Sequence, residues 1–158
     1  MAVRQDSGNV SGIVRWFLQP RSFARGWAIV LAGLVVLGIP LELMGNAALL
    51  PGFLEFDWTH DLLHVVLLGL AIHFGWFAAP PGTQVYARIF GIGGLLVGAT
   101  GFTPPLAGSV HHLVGWHFEV GEDLVHTALG LWGSVAGFRR SLHATALGLE
   151  PHSVVKAH

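Results

Sequence analysis

The chain has 158 residues, 53% of them apolar and only 11% charged, with a formal net charge of −1. A soluble domain of this length carries about a quarter charged residues, so this chain lacks the polar surface a water-exposed fold needs, and its deficit points to lipid. The absence of cysteine excludes disulfides, thiolate metal sites, iron–sulfur clusters and a cysteine nucleophile.

Residues 1–25 hold Arg4, Arg15, Arg21 and Arg25 without an apolar run long enough for a cleavable leader, so they read as a cytoplasmic or interfacial segment. Within it, Gly12 to Leu18 mixes apolar bulk with Arg15, a composition suited to the inner headgroup region. Four apolar segments follow, at about 26–45, 61–79, 84–102 and 122–138. A helix needs roughly 17–25 apolar residues to cross the hydrocarbon core, and the fourth segment barely reaches that length. Backbone groups in lipid must be satisfied within their own segment, so helix is the predicted form. Pro40 should kink or end the first helix. Pro80-Pro81-Gly82 marks a tight turn, Pro104-Pro105 ends the third helix, and residues 105–121 read as a longer loop. Trp27, Trp58, Trp76 and Trp116 fall near predicted helix ends, where an aromatic belt sits. Residues 139–158 read as a cytoplasmic tail.

Charge fixes an orientation. All eight basic residues (Arg4, Arg15, Arg21, Arg25, Arg88, Arg139, Arg140, Lys156) lie on the side of the termini and the middle turn. The positive-inside rule then places both termini on the cytoplasmic side. Opposite them lie Glu42, Glu55, Asp57, Asp61, Glu119, Glu122 and Asp123 with His60, His64, His111, His112, His117 and His126. Such a surface attracts cations and, with unperturbed histidines, changes charge between about pH 5 and 8. The expected fold is an all-α integral membrane four-helix bundle, up-down-up-down, over residues 26–138.

The second and fourth helices begin alike. His60-Asp61-Leu62-Leu63-His64 aligns with Glu122-Asp123-Leu124-Val125-His126, the mark of a duplicated two-helix hairpin. Positions i, i+3 and i+4 share a helix face, so His60, Asp61 and His64 cluster, as do Glu122, Asp123 and His126. Facing one another, the two clusters make a site for a divalent transition metal with imidazole and carboxylate ligands. A second version uses His64 and His126 as axial ligands of one haem. A third reading needs no ligand: Asp57 or Thr59 caps the second helix, the acids favour positive helix starts, and the histidines join a hydrogen-bond network. His73 points to the face opposite His64 and lies roughly 13 Å deeper, near mid-membrane. Gly69, four residues earlier, leaves room for a flat ring. The segment Gly69 to His73 with Trp76 is similar to the small-x-x-x-His arrangement by which light-harvesting polypeptides hold (bacterio)chlorophyll. The competing reading bonds His73 to a neighbouring helix. Gly91, Gly94, Gly98 and Gly101, with Gly133 and Gly137, mark faces where helices approach closely, within the bundle or in a dimer.

The chain resembles the bacterial membrane proteins catalogued as domain of unknown function 4383. The resemblance covers about residues 26–138 and rests on Thr59 to His64 followed by Gly69, on Ala87 to Gly91, and on Glu122 to His126 followed by Gly130. It implies the four-helix topology and supplies no function. The family pattern looks like His-Asn-x-x-His and Asp-Asn-x-x-His. Asp61, Asp123 and Glu122 depart from it and add negative charge.

The function these features favour is a non-catalytic accessory or structural subunit of a larger membrane complex, its partners being lipids and other membrane subunits, without nucleic acid. The close alternative binds haem, (bacterio)chlorophyll or a metal through His64, His126 and His73. A further alternative is a small pH-responsive transporter using the outer histidines and acids. An enzyme is not expected, since the sequence holds no nucleophile–base pair, phosphate loop or cofactor fingerprint.

Overall fold

The computed structural model describes residues 7–46, 48–50, 53–55, 57–114 and 119–146, with side chains from residue 12 onward save those at 48–50, 54–55, 114 and 140–146. Trp116, His117 and most of the predicted tail lie outside the described residues. The described chain is almost wholly helical: α1 Ser7–Phe17, α2 Pro20–Leu43, α3 Trp58–Ile72 with a π-helical end His73–Phe77, α4 Pro80–Gly101, α5 Pro104–Val114 and α6 Val120–Ala146. A small antiparallel pair, β1 Ala48–Leu50 and β2 Leu54–Glu55, joins α2 to α3.

The helices α2 and Trp58–Phe77 are long and apolar enough to cross a membrane. A third span is reached if α4 and α5 count as one, although they meet at 106°. Helix α6 is as long but does not qualify, because its uncharged stretch runs only from Leu124 to Phe138 between Asp123 and Arg139. The region predicted as a loop at 105–121 contains a helix, α5, which the two prolines start rather than prevent, since proline suits a first turn.

Helix α2 begins six residues before its predicted start, with Pro20 as its first residue. Pro40 removes a single hydrogen-bond donor from the last turns and does not end the helix. Termination comes from Gly45, whose φ of +75° suits a residue without Cβ. Its N–H reaches Glu42 O and that of Asn46 reaches Leu41 O, each at 2.9 Å, closing a Schellman turn. Starting α2 early also moves Trp27 two turns inside, so it joins the core with Phe23, Ala24 and Leu31 instead of the predicted aromatic belt.

Two antiparallel pairs organise the long helices. In α2–α3, Arg25 lies beside Gly75 and Arg21 beside Ala78. In α4–α6 the approach is close enough that a Cβ at Gly91 would strike the backbone of Gly133 and Ser134, and one at Gly130 would strike that of Gly94 and Leu95. The glycine stripes read from the sequence thus face each other inside the chain. Phe23 joins the pairs, its ring 6.1 Å from Tyr86 on α4 and 5.6 Å from Trp132 on α6. Helices α3 and α6 have little direct backbone contact, each packing mainly on its own partner.

Candidate metal centre

Asp57 fixes the start of α3. As its N-cap it accepts the N–H of His60 at 2.8 Å, and it also takes the Thr59 hydroxyl. His60 and His64 then fall one turn apart on the same face, with ring centres separated by 4.3 Å. On α6, Glu122 and His126 stand in the same i, i+4 relation. His126 donates from Nδ1 to the carbonyl of Glu122 at 2.8 Å, which leaves Nε2 with its lone pair free to ligate. The rings of His60 and His126 stack across the gap between α3 and α6, 6.1 Å apart and 12° from parallel.

The three histidines each bring one ring nitrogen into a group whose members all lie within 4.8 Å of one another. Glu122 Oε2 is 3.8 Å from His60 Nδ1, adding an oxygen donor from the second helix. Around them stands a layer of acids. Asp61 Oδ1 is 3.6 Å from His64 Nδ1, and Asp57 Oδ2 is 4.0 Å from His60 Nδ1. Arg21, Arg25 and Arg88 lie at the other end of the helices, so they supply no positive charge here.

These residues fit a metal ion. His64 Nδ1 and Asp61 Oδ2 are buried without a hydrogen-bond partner among the described residues. An orphaned buried polar atom costs about 1–3 kcal/mol, and a nearby cation offsets such a cost. A tetrahedral zinc ion at 2.0–2.1 Å from its ligands holds them roughly 3.3 Å apart, a modest contraction of the side-chain positions seen here. Nitrogen and carboxylate donors without sulfur admit zinc, copper(II), manganese and iron.

No known protein family, curated protein or solved structure matches the chain.

The predicted ligands separate into distinct roles. His60, His64 and His126 converge, and Glu122 stands outside that group beside His60. Asp61, only 1% exposed, stands one layer out behind His64, where it can orient the ring rather than ligate. Asp123 is also buried, but its carboxylate fills the space beside Gly101 on α4. A haem between His64 and His126 would meet the His60 ring, which occupies that gap. His111 and His112 are exposed on α5, with ring centres 5.8 Å apart.

His73 lies at the opposite end, exposed, with its ring edge-on to Phe74 at 5.1 Å. The predicted bond to a neighbouring helix is not found among the described residues. A Cβ at Gly69 would meet open space, so that face does leave room for a ring. The arginine positions set its depth: Gly75, two residues on, is level with Arg25, so His73 sits near the arginine end rather than at mid-span.

Sequence reasoning missed what the arginines do. Arg25 Nε donates to Gly75 O at 2.9 Å and Arg21 Nη2 to Ala78 O at 2.7 Å, while Thr83 Oγ1 donates to Phe74 O at 3.1 Å. Carbonyls left over at the end of α3 are thereby satisfied. Arg88 Nε and Gln84 Nε2 both donate to Gly137 O, at 2.9 and 3.1 Å. The available signal was the recurrence of Ala-Arg at 24–25 and 87–88 against Gly-aromatic at 75–76 and 137–138.

Proposed function

We propose that this is an integral membrane protein of four spans whose two hairpins jointly hold one divalent transition-metal ion. The observation that carries this reading is the convergence of His60 and His64 from α3 with His126 from α6, their donor atoms within 4.8 Å. Glu122, outside that group but with Oε2 3.8 Å from His60 Nδ1, is the proposed fourth donor. The ligand pairs His60/His64 and Glu122/His126 occupy matching positions in the repeat, as do the Arg25/Gly75 and Arg88/Gly137 contacts, which supports a duplicated hairpin with the ion between its halves.

With Glu122 as fourth donor the coordination sphere would be closed, whereas catalytic zinc sites keep a position open. The proposed role is therefore non-catalytic, a metal-held subunit in a larger membrane assembly. The middle of each long helix lacks ionisable side chains, at 26–41, 65–72, 89–110 and 127–138, and His73 lies just past the second of these at the arginine end, so a relay through the membrane is the weaker reading. By the positive-inside rule the metal lies at the outer face of a bacterial inner membrane, with both termini inside. The resemblance to the domain of unknown function 4383 proteins belongs to this proposal.

Metal content decides the matter. Protein purified in mild detergent, stripped and reloaded with zinc, is expected to hold one ion per chain by elemental analysis, and His64→Ala and His126→Ala to hold none. Equal metal content in all three would sink the proposal, and a haem absorption band in place of metal would replace it with the tetrapyrrole reading. Because the chain has no cysteine, single cysteines at Ser109 and Arg139 test topology: they should label from opposite sides of sealed vesicles.

A further inference from the structure

The arginine end of the molecule repeats one construction twice. In the first hairpin, Arg25 is held by its Nε bond to Gly75 O, and its guanidinium lies 5.3 Å from the ring centre of Trp76. In the second, Arg88 is held by its Nε bond to Gly137 O, and its guanidinium lies 5.0 Å from the ring centre of Phe138. The glycines matter to both. A Cβ at Gly75 or Gly137 would press on the backbone N and Cγ of the arginine it holds. Two sites 62 or 63 positions apart in sequence thus fix a guanidinium the same way: Nε on a helix carbonyl, one face against an aromatic ring.

That arrangement uses one donor of each fork and leaves the terminal nitrogens, four N–H groups per arginine, without a partner among the described residues. Both side chains are only partly buried. Among the described residues their charge is also uncompensated. The acids with described positions cluster at the histidine end, and each ion pair found there joins an acid to a histidine. Arg21, beside Ala78, adds a third guanidinium at the same level. Trp76 is half exposed and amphipathic, a residue suited to the depth of lipid headgroups. Helix α1 ends at this level too, with the carbonyl of Phe17 accepting the Trp132 indole N–H at 2.6 Å and Ile13, Val14 and Trp16 exposed beside it.

We propose that Arg25 with Trp76, and Arg88 with Phe138, are two equivalent binding sites for the phosphate group of an anionic phospholipid. A guanidinium whose rotamer is already fixed loses less freedom on binding phosphate, and its remaining N–H groups match a phosphate's oxygens. The acyl chains would lie along the apolar outer faces of the same helices, where Ile72, Phe77 and Ile89 are exposed. This site is independent of the metal centre.

Native mass spectrometry of the detergent-solubilised protein, incubated with phosphatidylglycerol or phosphatidylcholine, tests it. The wild type is expected to retain up to two phosphatidylglycerol molecules, each favoured about five-fold over phosphatidylcholine per arginine engaged. Arg25→Gln and Arg88→Gln should each lose one, and the double variant should lose the preference. Arg25→Lys keeps charge without the fork and should retain lipid more weakly. Equal retention of the two lipids by the wild type overturns the proposal without recourse to any variant, as does undiminished preference in a folded double variant. Millimolar inorganic phosphate should not displace the lipid; full displacement would make this a site for the free anion and overturn the lipid assignment.

Discussion

His126 and Glu122 are joined by a bond that never leaves their helix: the Nδ1–H of His126 donates to the Glu122 carbonyl across 2.8 Å. The bond leaves Nε2 as the ring nitrogen with a lone pair for a ligand. It also ties the ring of one proposed donor to the backbone of the residue proposed to bring a carboxylate. Replacing His126 with Ala removes a ligand outright, and zinc affinity measured by competition with a chelating dye should fall by more than a hundred-fold. Glu122→Gln keeps the carbonyl bond and removes only the charged donor, so its loss should be smaller than that of His126→Ala. Identical affinities for Glu122→Gln and wild type would leave a three-histidine site without a protein carboxylate.

Asp61 and Asp123 occupy equivalent places in the repeat but meet different neighbours. Asp61 stands 3.6 Å from His64 Nδ1, whereas Asp123 is packed beside Gly101. Loss of a partner behind a metal-bound histidine typically lowers affinity 10- to 100-fold. Asp61→Asn should show that loss, and Asp123→Asn should leave zinc affinity within about three-fold of wild type. The same loss in both would mean that Asp123 also serves the ion.

Much of this was legible in the sequence, because helix position is periodic and charge is partitioned. The spacing of His60 and His64, and of Glu122 and His126, placed each pair on one face, and the repeat put both pairs at the same outer end, but that the faces meet depends on packing the sequence does not encode. The Gly94 and Gly98 stripe marked a face of close approach, and the structure supplies α6 as its partner. Other features depend on packing that no local pattern encodes. Asp61 and Asp123 look alike in sequence, and only the closeness of α4 to α6 turns Asp123 towards Gly101. Arg25 and Arg88 read as sidedness markers, since a side chain-to-carbonyl bond spanning about fifty residues leaves no periodic trace. Trp27 looked interfacial because the apolar run starts there, yet Pro20 starts α2 well before it. Helix α5 was hidden by Pro104-Pro105, which terminate one helix and begin the next.

An ion bound between α3 and α6 would join two helices that otherwise touch little. Chelation should therefore lower the thermal unfolding midpoint of the wild type in detergent and leave His64→Ala unmoved. At free zinc a hundred-fold above Kd, the ion contributes about 2.7 kcal/mol. A chelator effect of equal size in both proteins would place the stabilising ion elsewhere.

The contact of α4 with α6 sets the position of His126 relative to α3, so it is the packing element on which the site most depends. At Gly130 the nearest atoms to an added side chain are backbone atoms of Gly94 and Leu95, which cannot rotate away. Gly130→Val should destabilise by at least the 1–3 kcal/mol typical of overpacking, and should weaken zinc binding as α6 is pushed off α4. Gly93, one position from that stripe, has open space where a Cβ would go. Gly93→Ala should be neutral or gain up to about 1 kcal/mol from helix propensity, with zinc affinity unchanged. Thermal unfolding and zinc titration of the two variants side by side check the assignment. A tolerated Gly130→Val with wild-type affinity would show that the two helices do not approach as closely as described.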